Sequence, residues 1–234
     1  DEQCGFSLQK FAMKVTANNK RLDIKDFGGE LSNTALKIDS LTLKYDSLLE
    51  LPQMTENVRY DGSLKASVIL KDLAPFVPAL SRFEEPLDLN LVFSGHGKHL
   101  DCPTLRLTNH HGLMIAGEAA LSNWDAGMDM YIYGKLGNLI MTKEGINVLM
   151  TNLTGKVPPI LQRLDYIRFN GEAAGYLHDL TLTGLFHTGA GMVKTDVMMS
   201  IDEQSMSRTY SGSVASADLD LGKLLNQEKK FGKV

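Results

Sequence analysis

Along most of the chain, apolar and polar side chains alternate with period two, which in an extended backbone sends successive side chains to opposite faces. Leu64, Ala66, Val68 and Leu70 are interleaved with Lys65, Ser67 and Lys71, and Ile69 is the one apolar exception. Leu87, Leu89, Leu91 and Phe93 alternate with Asp88, Asn90 and Ser94. Val193, Val197, Met199 and Ile201 do the same against Lys194, Asp196 and Ser200. Weaker alternation marks 36–45, 105–108, 112–121, 128–134, 166–177, 180–187 and 208–217, with Gly, Asn and Asp as punctuation. One dry face and one wet face, repeated about a dozen times, predict half-buried antiparallel strands joined as a meander.

Three segments switch to helical spacing. The first is 72–83, with Asp72 placed to cap it, Leu73, Phe76, Val77 and Leu80 on one side, and Pro78 set to kink or end it. The second is 137–153, carrying Leu139, Ile140, Ile146, Leu149 and Met150, with a further turn after Pro158 and Pro159 at Ile160, Leu161 and Leu164. The third is 218–227, with Leu219, Leu221, Leu224 and Leu225. Each is too short to stand as a domain.

These helices anchor an internal repeat. The strand-to-helix passages 66–73, 130–139 and 212–219 match, and the blocks 89–95 with 105–108 resemble 165–171 with 180–183. The predicted organisation is one continuous β-groove segment over residues 1–234, with repeats at about 64–139 and 140–219, cut from a longer chain. The fold class expected is mainly β: a long, curled antiparallel sheet of roughly 10 to 14 strands forming an open, taco-like groove, with a few short helices.

Composition narrows the function. With 24 basic and 28 acidic residues the net charge is −4, so the basic field of a nucleic-acid binder is missing and no nucleic-acid partner is expected. Two cysteines, Cys4 and Cys102, make neither a disulfide framework nor a four-thiolate metal site, and whether they pair is open. There is no run of 18 apolar residues and no signal peptide before Asp1, so the stretch is read as a processed product or an excised fragment.

Candidate chemistry is sparse. His96, His99, Asp101, Cys102, His110 and His111 are the only metal-like cluster, but their spacing matches no closed zinc site, and His96 and His99 flank Gly97 and Lys98 as a hairpin turn would. Glu84 and Glu85 precede Pro86 as a solvated loop, and neither 189–191 nor 95–97 leads from a strand into a helix as a phosphate-binding glycine loop must. No nucleophile elbow occurs. The reading is no enzyme, no cofactor and no metal.

What stands out is one-sided apolar surface in excess of what the short helices could cover. A closed sandwich or barrel would bury it, and so would a groove that receives an apolar ligand. The positions expected to line such a groove are Leu89, Leu91, Phe93, Leu105, Leu107, Ile167, Phe169, Leu180, Leu182, Val197, Met199 and Ile201. Eleven methionines would suit an adaptable wall, although a single Met is ordinarily core filler.

The repeat, the closing run 218–225 (Asp-Leu-Asp-Leu-Gly-Lys-Leu-Leu) followed by Phe231, Gly232, Lys233 and Val234, and the passage 31–41 (Leu-Ser-Asn-Thr-Ala-Leu-Lys-Ile-Asp-Ser-Leu) resemble the AsmA/TamB superfamily. Within it they are similar to the long TamB-like (translocation and assembly module) proteins of Bacteroidota-type bacteria. The resemblance is spread over the whole chain and carries no catalytic signature. It implies a piece of a periplasmic protein anchored in the inner membrane outside this stretch, with a body like the groove of bridge-like lipid-transfer proteins. The partners it implies are phospholipid acyl chains and, through parts outside this chain, an outer-membrane barrel protein. The activity implied is movement or shielding of phospholipid between inner and outer membranes, or support of outer-membrane protein assembly. A structural β-solenoid scaffold with a packed interior is the alternative.

Overall fold

A computed structural model describes residues 10–30, 34–73, 81–202, 205 and 207–233. Twelve strands form one antiparallel sheet in sequence order, not closed into a barrel. They are β1 Lys10–Asn18, β2 Arg21–Glu30, β3 Ala35–Lys44, β4 Arg59–Ile69, β5 Pro86–His96, β6 His99–Thr108, β7 Leu113–Ser122, β8 Tyr131–Thr142, β9 Tyr166–Tyr176, β10 Asp179–Thr188, β11 Gly191–Ile201 and β12 Arg208–Ala217. The mainly-β, open, antiparallel expectation holds. Contacts divide the chain into two compact units, residues 1–109 with 118–125 and residues 110–117 with 126–234, so β7 gives its first half to the second unit and its second half to the first.

Two strands escape the period-two reading, β1 and β2. In β2 the cause is a β-bulge: Lys14 faces Lys25 and Ala12 faces Gly28, so Asp26 is an extra residue, held at φ 52°. The apolar positions of β2 therefore step by three, from Ile24 to Phe27. The same step recurs from Ile38 to Leu41 in β3, where Asp39 is the extra residue, and from Leu136 to Leu139 in β8. The two bulged carboxylates are neutralised by lysines, Asp26 by Lys14 at 2.8 Å and Asp39 by Lys37 at 3.3 Å and Lys65 at 3.2 Å. Those lysines hold both carboxyls below the usual range, through hydrogen bonds first.

The helices are corrected at their ends. Residues 137–142, read as helix, are the end of β8, because Leu139 pairs with Phe169 and Thr142 with Tyr166. Helix α1 then spans Lys143–Thr154, its first turn capped by the Thr142 hydroxyl accepting from Gly145 N at 3.2 Å and its end closed by Gly155 at φ 76°. The expected turn after the two prolines is α2, Pro159–Gln162. The third helix shrinks to α3, Leu221–Leu225, whose cap is the Asp220 carboxylate accepting from Lys223 N at 2.8 Å. Of the helix expected at 72–83, a 3-10 turn at Leu70–Leu73 and 3-10 backbone at Ser81 and Arg82 are seen, and residues 74–80 lie outside the described residues. A 3-10 helix at Leu48–Gln53, with Leu49 82% exposed, was not foreseen.

Candidate functional site

In the first unit the register assembles apolar rows across β2 to β6, because directly opposed residues of an antiparallel pair share a face. One row runs Leu36, Ala66, Leu89, Leu107, and the next Phe27, Ile38, Leu64, Leu91, Leu105. A third runs Ile24, Leu41, Gly62, Phe93. All five groove-lining positions expected here, Leu89, Leu91, Phe93, Leu105 and Leu107, thus lie on one face. Each remains half-exposed. Phe93 lies flat enough over Gly62 that a Cβ there would meet its Cζ at 2.8 Å.

Apart from Gly62 within β4, burial in this unit concentrates towards the strand ends. At one end Tyr45, Val58, Tyr60 and Cys102 are buried, and the Tyr60 hydroxyl donates to the His99 carbonyl at 2.7 Å. Burial, with Asp101 nearby, pushes the Tyr60 phenol up to about 12 and also raises the Cys102 thiol. Cys4 lies outside the described residues. At the other end Thr34 donates to Asp72 at 2.7 Å and accepts from Ile69 N at 3.1 Å, beside buried Ala66 and Phe83. Among the described residues no helix or second sheet lies on the rows between these ends.

The second unit treats its own apolar face differently. Its rows are Ile132, Gly175, Leu180, Met199, Tyr210, then Gly134, Ala173, Leu182, Val197, Gly212, and at the far end Leu139, Phe169, Phe186, Val193. Ile167, Phe169, Leu180, Leu182, Val197, Met199 and Ile201 therefore share one face, as expected. They do not share one environment. Ile167 and Phe169 are 8% and 5% exposed, in or beside a core of Ile146, Leu164 and Ala190 to which α1, α2 and α3 add Met150, Leu161 and Leu224. The Phe169 and Phe186 rings sit 4.4 Å apart. These two positions are packed core, while Leu180, Leu182, Val197, Met199 and Ile201 are half-exposed.

A cleft of about 980 Å³ in the first unit opens around Gly28, Ala35, Lys37, Lys65, Asn90 and Arg106. Phe27, Leu36, Ala66 and Leu89 also border it, but Gly28, Lys37, Lys65, Asn90 and Arg106 form a row of the opposite register, which is the charged face. This cleft is therefore lined from both registers, by charged-face side chains and by apolar ones, with more apolar than polar surface.

The histidines are spent on separate contacts. His96 meets Glu56 at 3.0 Å, His99 meets Ser122 at 2.7 Å and Asp101 at 3.1 Å, and His111 meets Glu144 at 2.7 Å. Among the described residues no three His, Cys, Asp or Glu side chains converge as metal ligands.

The site residues missed from sequence are Leu22, Ile24 and Phe27 of β2. Their signal was present, but the extra Asp26 breaks its phase. No helix among the described residues is long and apolar enough to cross a membrane. No family model, curated protein or solved structure matches this chain.

Proposed function

We propose that the chain is a non-catalytic segment of a periplasmic bridge protein, in which the apolar sheet face carries or shields phospholipid acyl chains between the inner and outer membranes or supports outer-membrane protein assembly. One observation supports this reading above the others: the large side chains on the middle of the first unit's apolar face, from Ile24 to Leu107, are half-exposed with no described layer over them. Leaving that much aliphatic surface wet is costly, at about 25 cal/mol per Å². An acyl chain laid along the rows relieves the cost on both partners, at ~0.8 kcal/mol per methylene fully removed from water. Binding by area alone has no polar clamp to trap a headgroup, which suits a surface along which lipid moves. The resemblance to the AsmA/TamB superfamily points the same way. The packed core around Ile146 and Phe169 favours the scaffold reading for the helix-covered end of the second unit.

Photocrosslinking tests the reading. A photoreactive side chain at Phe93 or Met199 is expected to recover phospholipid of mixed headgroup, and one at buried Phe169 far less. Leu91→Asp should lower recovery at Phe93, because a carboxylate on an apolar surface resists desolvation. Circular dichroism and thermal unfolding of each variant separate loss of lipid from loss of fold. A folded chain that yields no lipid from either exposed position sinks the proposal in favour of the scaffold.

A further inference from the structure

At one end of the first unit the register sets basic side chains against one another. Arg21 pairs with Lys44, Lys44 with Arg59 and Arg59 with His96, so four neighbouring strands, β2 to β5, each meet this end with a basic residue. The row belongs to the charged face, since Leu22, Leu43 and Tyr60 take the other register. Like charges directly opposite one another destabilise a sheet, so the row calls for negative charge nearby.

Carboxylates of the chain answer part of that call. Asp23 takes Arg21 at 2.6 Å, Asp46 lies 3.7 Å from Lys20, and Glu56 takes His96 at 3.0 Å. Lys44 and Arg59 are left over: among the described residues, neither side chain has an ion pair or a hydrogen bond. Arg59 has the same choice as Arg21, an aspartate two positions on along its own strand. Arg21 bridges Asp23, whereas Arg59 makes no such contact with Asp61, whose charge acts on Arg21 instead. The leftover pair borders a cleft of about 490 Å³ that four cations, Lys20, Arg21, Lys44 and Arg59, share with two carboxylates, Asp46 and Glu56. Those carboxylates already face Lys20 and His96. The connectors at this end, 19–20, 45–58 and 97–98, are described throughout, and none brings a carboxylate to Lys44 or Arg59.

We propose that Lys44 and Arg59 bind a phosphate monoester, with the Arg59 guanidinium donating to two of its oxygens and the Lys44 ammonium to a third. Two uncompensated cations on directly opposed residues select this chemistry. A phosphate monoester carries about −1.5 to −2 charges near pH 7 and presents three acceptor oxygens, which answers both cations. A carboxylate or a phosphodiester carries a single charge and answers only one. The planar fork of arginine also matches two oxygens of a phosphate side by side. The monoester belongs either to a small soluble molecule or to the headgroup of an anionic lipid, and its binding does not depend on what the apolar face carries.

The test titrates the full chain with glycerol 3-phosphate and follows the Arg59 Nε–H signal by NMR, with dimethyl phosphate and acetate as singly charged controls. Glycerol 3-phosphate is expected to bind about ten-fold or more tightly than either, equivalent to ~1.4 kcal/mol. Its binding should weaken as pH falls through about 6, where the second proton returns. Lys44→Gln and Arg59→Gln, both exposed positions whose variants are checked for fold by circular dichroism, should each abolish the preference. Arg208→Gln, in the second unit, should leave it intact. Phosphatidylcholine vesicles carrying phosphatidic acid, whose headgroup is a monoester, separate the two sources. Sedimentation of the chain with them, and not with vesicles carrying phosphatidylglycerol, supports a lipid monoester, and glycerol 3-phosphate binding without sedimentation supports a soluble one. Neither binding nor sedimentation would overturn the proposal. Equal binding of all three anions would overturn it too, as would a preference that survives both glutamine variants, since either describes a cationic surface with no site at this pair.

Discussion

Leu91 and Phe169 occupy comparable places in the alternation, on the apolar face of β5 and of β9, the strands that follow the connectors after β4 and after β8. Leu91 is half-exposed and Phe169 is 5% exposed. The difference lies in what the connector adds. Before Phe169 comes α1, whose Ile146 is driven to 1% exposure against Ile167, Leu164 and Ala190. Before Leu91, the described parts of the connector are short 3-10 pieces, Leu70–Leu73 and Ser81 with Arg82. The same two-faced strand is thus a core wall where a helix covers it and a half-exposed apolar surface where no described helix does.

The sharpest test removes the cover. Ile146→Ala should cost about 3 kcal/mol, since the site is fully enclosed and leaves a cavity. Leu91→Ala should cost about 1 kcal/mol, since water already reaches that side chain. Denaturant unfolding of both variants measures the gap, and equal costs would mean that the first unit's face is covered after all.

Glycines under the aromatic rings give a second contrast. A Cβ at Gly184 would sit 2.5 Å from Phe169 Cε2 and 2.7 Å from the Asn170 carbonyl oxygen, so Gly184→Ala should destabilise by about 1–3 kcal/mol. Gly28, on the charged face of the first unit, has nothing within 4 Å, and Gly28→Ala should be neutral or stabilise by up to about 1 kcal/mol. Thermal unfolding of the pair checks the sign of each.

The seating of α1 supplies a smaller effect. Thr142 accepts from Gly145 N and donates to the His111 carbonyl at 2.7 Å. Thr142→Ala is expected to lose about 1 kcal/mol, and Thr142→Ser to recover most of it. If the helix is what closes the second unit's face, photocrosslinking of lipid from Phe169 should rise in the alanine variant.

The smallest expected effect is electrostatic and belongs to the first unit. Arg21 at 2.6 Å and Thr42 at 2.8 Å hold the Asp23 carboxyl down from 3.8 to about 2. A carboxyl lowered on folding stabilises fully above its unfolded pKa and loses that contribution as pH falls through the folded value. Between about pH 4 and pH 2 the wild type should therefore lose stability that Asp23→Asn does not have to lose. The pair lies at the surface with the carboxylate partly accessible, so salt should weaken the difference, and acid titration followed by circular dichroism would reveal it.

Fold class was legible because each strand carries its own signal. A side chain's face depends only on local backbone period, so the alternation at 87–94 or 193–201 declared itself without any partner. The sharing of one face by Leu89, Leu91, Leu105 and Leu107, or by Leu180, Leu182, Val197 and Met199, followed from the same rule once neighbours paired in order. Where the rule was broken by one residue, at Asp26, the sequence lost β2, because a bulge is decided by how two strands fit and not by either alone. The ends of the helices were settled in the same way: Leu139 and Ile140 have helical spacing, yet hydrogen bonding to β9 extends β8 through Thr142. Most of all, only the tertiary structure separated buried Ile167 and Phe169 from half-exposed Val197 and Met199. Burial belongs to a pair of surfaces, and the sequence of a strand specifies just one of them.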